Sequence, residues 1–201
     1  MLYSKTGLVF LSIFLLGGCS TAVSTAIKIA DVALEATGLK KPELPPVPEM
    51  QKPPRQVALK LHAGSNLNAG ATDKPLSMVT KIYKLKQTGA FYSASYDSFT
   101  SPEKEKALLG DDLIEAREIN LIPEQLYQVT EKVPRTSSYI GIVTLFRTPA
   151  TQRWRAAFSA VDAEADGITM GLHACSLTLG KGAVIDQGGA GIAMASPARC
   201  Q

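Results

Sequence analysis

The sequence predicts an all-β protein: an antiparallel β-sandwich with a small helical insert, preceded by an N-terminal helix and a Pro-rich linker. Three observations carry that reading. From Val57 onward, short apolar–polar alternations follow one another, separated by turn-forming residues. An aromatic stripe at helical spacing interrupts them once. Ahead of them, prolines at 42, 45, 46, 48, 53 and 54 exclude both a helix interior and a sheet ladder.

The chain opens on one basic residue, Lys5, and an apolar run from Gly7 to Leu16. That run has signal-peptide length and is short for a membrane-spanning helix. It closes on Leu16-Gly17-Gly18-Cys19, a lipobox, so residues 1–18 read as a lipoprotein signal peptide and Cys19 as the lipidated N-terminus. The alternative is an ordinary secretory signal with a chance cysteine. Ser20 next to Cys19 resembles the sorting signal for the outer membrane. Residues 19–39 form the lipidated N-terminus and an amphipathic helix, with Val23, Ala26, Ile27, Ala30, Ala33, Leu34 and Thr37 at three- and four-residue spacing and Gly38 as its stop. That helix either lies on the domain surface or lies near the membrane or a partner; both readings stay open. Residues 40–55 are the Pro-rich linker. As extended polyproline at about 3.1 Å per residue, it reaches on the order of 50 Å.

The sequence has 21 Lys and Arg against 18 Asp and Glu. Loss of Lys5 with the signal leaves 20 − 18, a mature charge of +2, which implies no nucleic-acid partner. No second long apolar stretch exists, so lipid alone supplies the anchor. With Cys19 acylated, Cys175 and Cys200 remain as an even pair in an oxidising compartment. A disulfide is the reading there, over two free thiols.

Residues 56–185 are the sandwich domain. Val57, Leu59 and Leu61 alternate with Ala58, Lys60 and His62, a half-buried strand. Residues 76–85 make a second strand, with a bulge expected near Lys81-Ile82-Tyr83. Phe91, Tyr92, Tyr96 and Phe99 then make the helical stripe. Ser101-Pro102-Glu103 starts a second short helix as N-cap, first-turn proline and acid, and Gly110 ends it. Residues 117–121 and 126–131 flank Ile122-Pro123-Glu124 like a hairpin. Residues 139–147 are apolar on both faces, which predicts a central strand. Trp154, Ala156 and Phe158 alternate with Arg153 and Arg155; Ile168, Met170, Leu172 and Ala174 alternate in turn. Extending that parity puts Cys175, Leu177 and Leu179 on the outer face, to be covered by residues near 194–200. Residues 186–201 form a Gly/Ala-rich tail.

Candidate chemistry is sparse. His62 falls on a polar strand face, where a solvated imidazole is expected. His173 shares a face with Cys175, but a thiol hydrolase or a metal site needs a third converging group, and the disulfide competes for the sulfur. Gly189-Ala190-Gly191-Ile192-Ala193 resembles a dinucleotide fingerprint, without room for the βαβ unit that motif requires. Asp111, Asp112, Glu115 and Glu118 flank a helix end and a strand start, where solvated carboxylates are usual. No catalytic constellation, metal site, cofactor or small-molecule substrate is expected. What remains is residues 63–74, a polar connection longer than a hairpin loop, with Leu67 its only large apolar residue. It is either a mobile surface loop or a recognition loop on a rigid scaffold.

His62-Ala63-Gly64-Ser65-Asn66-Leu67-Asn68, the strand ending Lys81-Ile82-Tyr83-Lys84-Leu85, the aromatic helix, Leu109-Gly110-Asp111-Asp112-Leu113, Tyr139-Ile140-Gly141, Phe146-Arg147 and Trp154-Arg155 occur in this order. Together they resemble the TssJ (SciN) lipoprotein family of type VI secretion systems. The resemblance implies a transthyretin-like β-sandwich, held by lipid on the periplasmic side of the outer membrane. It also implies binding to the periplasmic C-terminal region of the inner-membrane protein TssM, itself associated with TssL, in a complex that bridges both membranes. In that family the loop between the first two strands contributes to the contact. Here it assigns partner binding to Asn66 and Asn68 as paired donors and acceptors, Asp73 as a charge and Leu67 as an apolar anchor. The linker and the tail fall outside the resemblance. The alternative is a lipid-anchored transthyretin-like module holding a small hydrophobic ligand or another envelope protein.

Overall fold

The computed structural model describes residues 45–185 together with Ala198 and Cys200. The signal peptide, Cys19, the helix over residues 20–38, the first part of the Pro-rich run and most of the tail lie outside the described residues. No helix among the described residues is long and apolar enough to cross a membrane.

Among the described residues, eight strands form two four-stranded sheets that share one hydrophobic core, a β-sandwich. The first sheet runs β4-β1-β7-β8 and the second β3-β2-β5-β6. β1 (Arg55–Ala63) obeys its alternation residue by residue, with odd positions buried and even ones exposed. β2 (Met78–Leu85) and β5 (Tyr139–Thr144) each lie between two neighbours in their sheet and are buried on both faces, one on the core and the other under the helical insert. Glu105 of the insert meets Lys81 and Tyr83 of β2, and its Phe91 lies against Gly141 of β5. β6 (Arg155–Ser159) is the edge beside β5, and residues 184–185 pair with it. The insert, helix α1 (Gly89–Ser93), a 3-10 turn (Tyr96–Phe99) and helix α2 (Pro102–Leu109), covers the face of β2 that carries Lys81 and Tyr83. Ser101 caps α2, accepting from Lys104 N–H, and Gly110 takes φ +47° to end it.

β2 does not bulge at Lys81-Ile82-Tyr83, where the alternation suggested it, and Lys81 and Lys84 are both accommodated in the ladder. Both ammonium groups are buried against carboxylates, Lys81 on Glu105 at 2.7 Å and Glu118 at 3.0 Å, and Lys84 on Glu115 at 2.7 Å. The register shift sits at the strand end, between Lys84 and Leu85. Tyr83 donates to Glu105 at 2.8 Å; burial, then the Glu105 charge, pushes its phenol far up, so it stays protonated. Its ring meets Phe91 and Phe99 edge-on at centroid distances of 5.9 and 5.8 Å.

Three connections differ from their sequence reading. β3 (Leu113–Leu121) and β4 (Leu126–Val133) are not a hairpin: they lie in different sheets, and residues 122–125 turn the corner between them. Arg117 of β3 donates across the sandwich to Tyr127 at 2.9 Å and to Glu131, both on β4. A corner and a hairpin share the same local turn residues, so only the pairing partners separate them. The sandwich is also not wholly antiparallel. Helix α3 (Ala160–Asp166) carries the chain from β6 to the other sheet, where β7 (Ile168–Leu172) runs parallel to β1. Finally, the turn over 173–176 resets the parity. Leu177, first residue of β8 (Leu177–Lys181), lies opposite Leu172 and is buried, so it needs no cover from the tail.

The Pro-rich run has no helix or strand at residues 45–48, with Pro48 at φ −52°, ψ 140°, then forms a 3-10 turn at Glu49–Gln51. Glu49, Met50 and Gln51 all have backbone N–H groups, unlike the prolines around them, so a turn can close there. The first strand begins at Arg55.

Candidate functional site

The connection between β1 and β2 is laced to the chain beside it. Gly64, Asn68 and Gly70 donate backbone N–H bonds to the carbonyls of Leu172, His173 and Ala174 at 2.8, 2.9 and 2.9 Å. Internal turns add Leu67 to Gly64, Ala69 to Asn66, and Leu76 back to Leu67. Gly70 takes φ +61°, and a Cβ there would sit 2.5 Å from the Thr148 hydroxyl, so only glycine fits.

This geometry corrects two of the four expected contact residues. Leu67 has 0 % of its surface exposed and belongs to the core; a side chain with no surface cannot anchor a partner. Asn68 is 6 % exposed and left-handed at φ +54°. Its Nδ2 donates to Ser77 O at 3.1 Å, and its Oδ1 accepts from Arg147 N–H at 2.8 Å. Asn68 is therefore a staple between two loops. Asn66 and Asp73 do point outward, within an exposed face made of residues 65–66 and 71–77.

Three other connections gather at this end. The corner over 122–125 bonds to Ala63 and Gly64, and Ala150 of the β5–β6 connection donates to Cys175 O at 2.9 Å. The turn over 173–176 carries Cys175, which is disulfide-bonded to Cys200, and Ala198 N–H donates to the Ser176 hydroxyl at 3.0 Å. Arg147 and Leu76 add exposed surface that the pattern reading missed. Leu76 looked like part of a strand, but Pro75 before it lacks a donor and the ladder starts at Met78. Arg147 has no local signal, since its place is set by the Asn68 staple.

The remaining candidates fall elsewhere. His62 is exposed on β1. His173 is partly buried, with Nε2 2.9 Å from the Thr178 hydroxyl, and burial lowers its pKa. The Cys175 sulfur is committed to Cys200, so the His173–Cys175 pair holds no free thiol. Among the described residues no three His, Cys, Asp or Glu converge as a metal site would require. A shallow depression on β1 and β4 is lined by Ala58, Leu59, Lys60, Gln128, Val129 and Thr130, polar and apolar in nearly equal measure.

The family model T6SS-SciN, described as type VI secretion lipoprotein, VasD, EvfM, TssJ, matches residues 55–175. Among solved structures, the chain is similar to the T6SS lipoprotein TssJ1 from Pseudomonas aeruginosa. Identity is 26 %, with a TM-score of 0.58 over 64 % of this chain and 97 % of that one. A chain of a type VI membrane complex is 25 % identical, with a TM-score of 0.57 over 62 % and 97 %. A chain in a structure described as the T6SS protein TssM C-terminal domain from EAEC is 26 % identical, with a TM-score of 0.53 over 62 % and 97 %. Among curated protein sequences no relative matches.

Proposed function

The chain belongs to the type VI secretion lipoprotein family, and we propose that it is an outer-membrane lipoprotein, anchored through Cys19, that binds the periplasmic C-terminal region of TssM. In this reading the protein acts by holding a partner, not by chemistry. The observation that carries it is the laced β1–β2 connection. Its backbone is fixed by hydrogen bonds to residues 172–174 while residues 71–77 stay exposed. A contact surface already fixed in shape loses little freedom on binding. The similarity to a chain in the TssM C-terminal domain structure supports the choice of partner. The lipobox and Ser20 support the anchor and its sorting.

Because Leu67 and Ala69 are core residues, excising the loop would unpack the domain. The test uses surface changes instead. The double variant Asn66→Ala, Asp73→Asn changes exposed side chains only, and asparagine tolerates the left-handed backbone at position 73 (φ +53°), so its melting temperature should match the parent's. Calorimetry against the purified TssM periplasmic region should show binding weakened at least tenfold, about 1.4 kcal/mol. Undiminished affinity in the folded variant would move the contact to another face.

A further inference from the structure

The strap of chain that leads into β1 is fastened to the domain by charge. Arg135, in the β4–β5 connection, donates from Nε to Pro53 O at 2.7 Å and from Nη1 to Glu49 Oε1 at 2.8 Å. The same guanidinium holds Glu164 of α3 through two bonds of 2.9 and 3.0 Å. Arg55, the buried first residue of β1, donates to the same Glu49 oxygen at 2.9 Å, and Lys52 pairs with Glu49 at 2.8 Å. The turn itself closes through Gln51 N–H to Pro48 O at 2.9 Å and Lys52 N–H to Glu49 O at 3.2 Å.

The far end of the same strand is the laced loop. β1 runs from Arg55 to Ala63, and Gly64 is the first residue pinned to Leu172. Nine strand residues span about 30 Å, so clasp and loop sit at opposite ends of one strand. Tension between the membrane tether and a bound loop therefore runs along the β1 backbone. A strand at about 3.3 Å per residue is already near the fully extended limit of about 3.6 Å and has almost nothing to yield. β4 and β7 hold it on both sides. Glu49 is close to half exposed, and such ion pairs hold weakly.

We propose that residues 47–54 are a load-releasing strap: under tension the Arg135–Glu49 clasp opens first, and β1 then carries the load with the sandwich intact. This rests on the tethered, loop-bound reading above. The device lengthens the tether by a fixed amount without disturbing the surface that holds the partner.

Optical tweezers on the mature full chain test it, with handles attached through non-natural side chains at positions 46 and 71 so that the disulfide is untouched. The parent should show one early step of at most about 30 Å, the full extension of eight residues, well below the force that unfolds the sandwich. Arg135→Ala and Glu49→Gln should each abolish that step or at least halve its force, with the unfolding force unchanged. Glu49→Gln keeps the Arg135–Glu164 pair and serves if Arg135→Ala fails to fold. No early step in the parent, or the same step in Glu49→Gln, overturns the proposal. No partner is present in this measurement, so a failure of TssM binding by calorimetry would be a separate result.

Discussion

At the Ala63 end of β1 the chain is fastened by backbone hydrogen bonds to residues 172–174 and by Leu67 and Ala69, neither with any exposed surface. At the Arg55 end it is fastened by two guanidinium groups sharing Glu49 and Glu164, both carboxylates in contact with water. The first kind of attachment has no titratable member and is little affected by salt. The second weakens with protonation and screening. One strand thus joins an end built to keep its shape to an end that can let go.

The largest effect should come from Leu67→Ala. If the loop were a surface feature, this change would cost little. As a core residue in a filled site, Leu67 should cost about 2–5 kcal/mol, read as a shift in the denaturant midpoint with an unchanged slope. A cost under about 0.5 kcal/mol would return Leu67 to the surface and erase the contrast between the two ends.

Asn68→Ala should cost less, about 1–3 kcal/mol, because Ser77 O and Arg147 N–H both lose a buried partner. Part of that cost is the left-handed backbone, so Asn68→Gly should recover a fraction of it. Hydrogen exchange should rise at Arg147 in both variants. Unchanged exchange there would mean that the staple does not couple the two loops.

The smallest effect, and the one that separates the ends, is acid release of the strap. The hydrogen bond from Lys52, then that from Arg135, holds the Glu49 carboxyl below its ordinary value. A depressed folded pKa means that its contribution is complete above the ordinary carboxylate range and is lost as pH falls through the lowered value. Amide resonances of Gln51 and Lys52 should titrate in that window while those of Asn68 and Gly70 hold still. Parallel movement of both sets would indicate global unfolding, not a local clasp.

The local code of this chain was plain to read. Alternation gave β1 from Val57, Leu59 and Leu61. Residues apolar on both faces gave the central position of β5. Ser101-Pro102 and Gly110 bounded α2. The order of short motifs gave the family. Each of these is a property of neighbours in sequence, where side-chain period, caps and turn residues act within a few positions.

What lay beyond reach was every choice that depends on distant partners. Ile122-Pro123-Glu124 looks the same in a hairpin as at a corner between sheets, and Leu177 faces inward only because a four-residue turn resets its phase against Leu172. Leu67, Asn68 and Asp73 carry one polar loop pattern, yet the carbonyls of residues 172–174 fold two of them inward and leave one outside. Arg135 and Glu49 stand 86 residues apart, and nothing near either one announces the other. The sequence by itself determined most of the strands and the bounds of α2, since those rules are local, but not helix α3 or the turn that separates β7 from β8. The tertiary structure alone decided which strands pair, which way Leu67, Asn68 and Leu177 face and what fastens the ends of β1, since a hydrogen-bond donor or a charge takes the partner that folding brings to it.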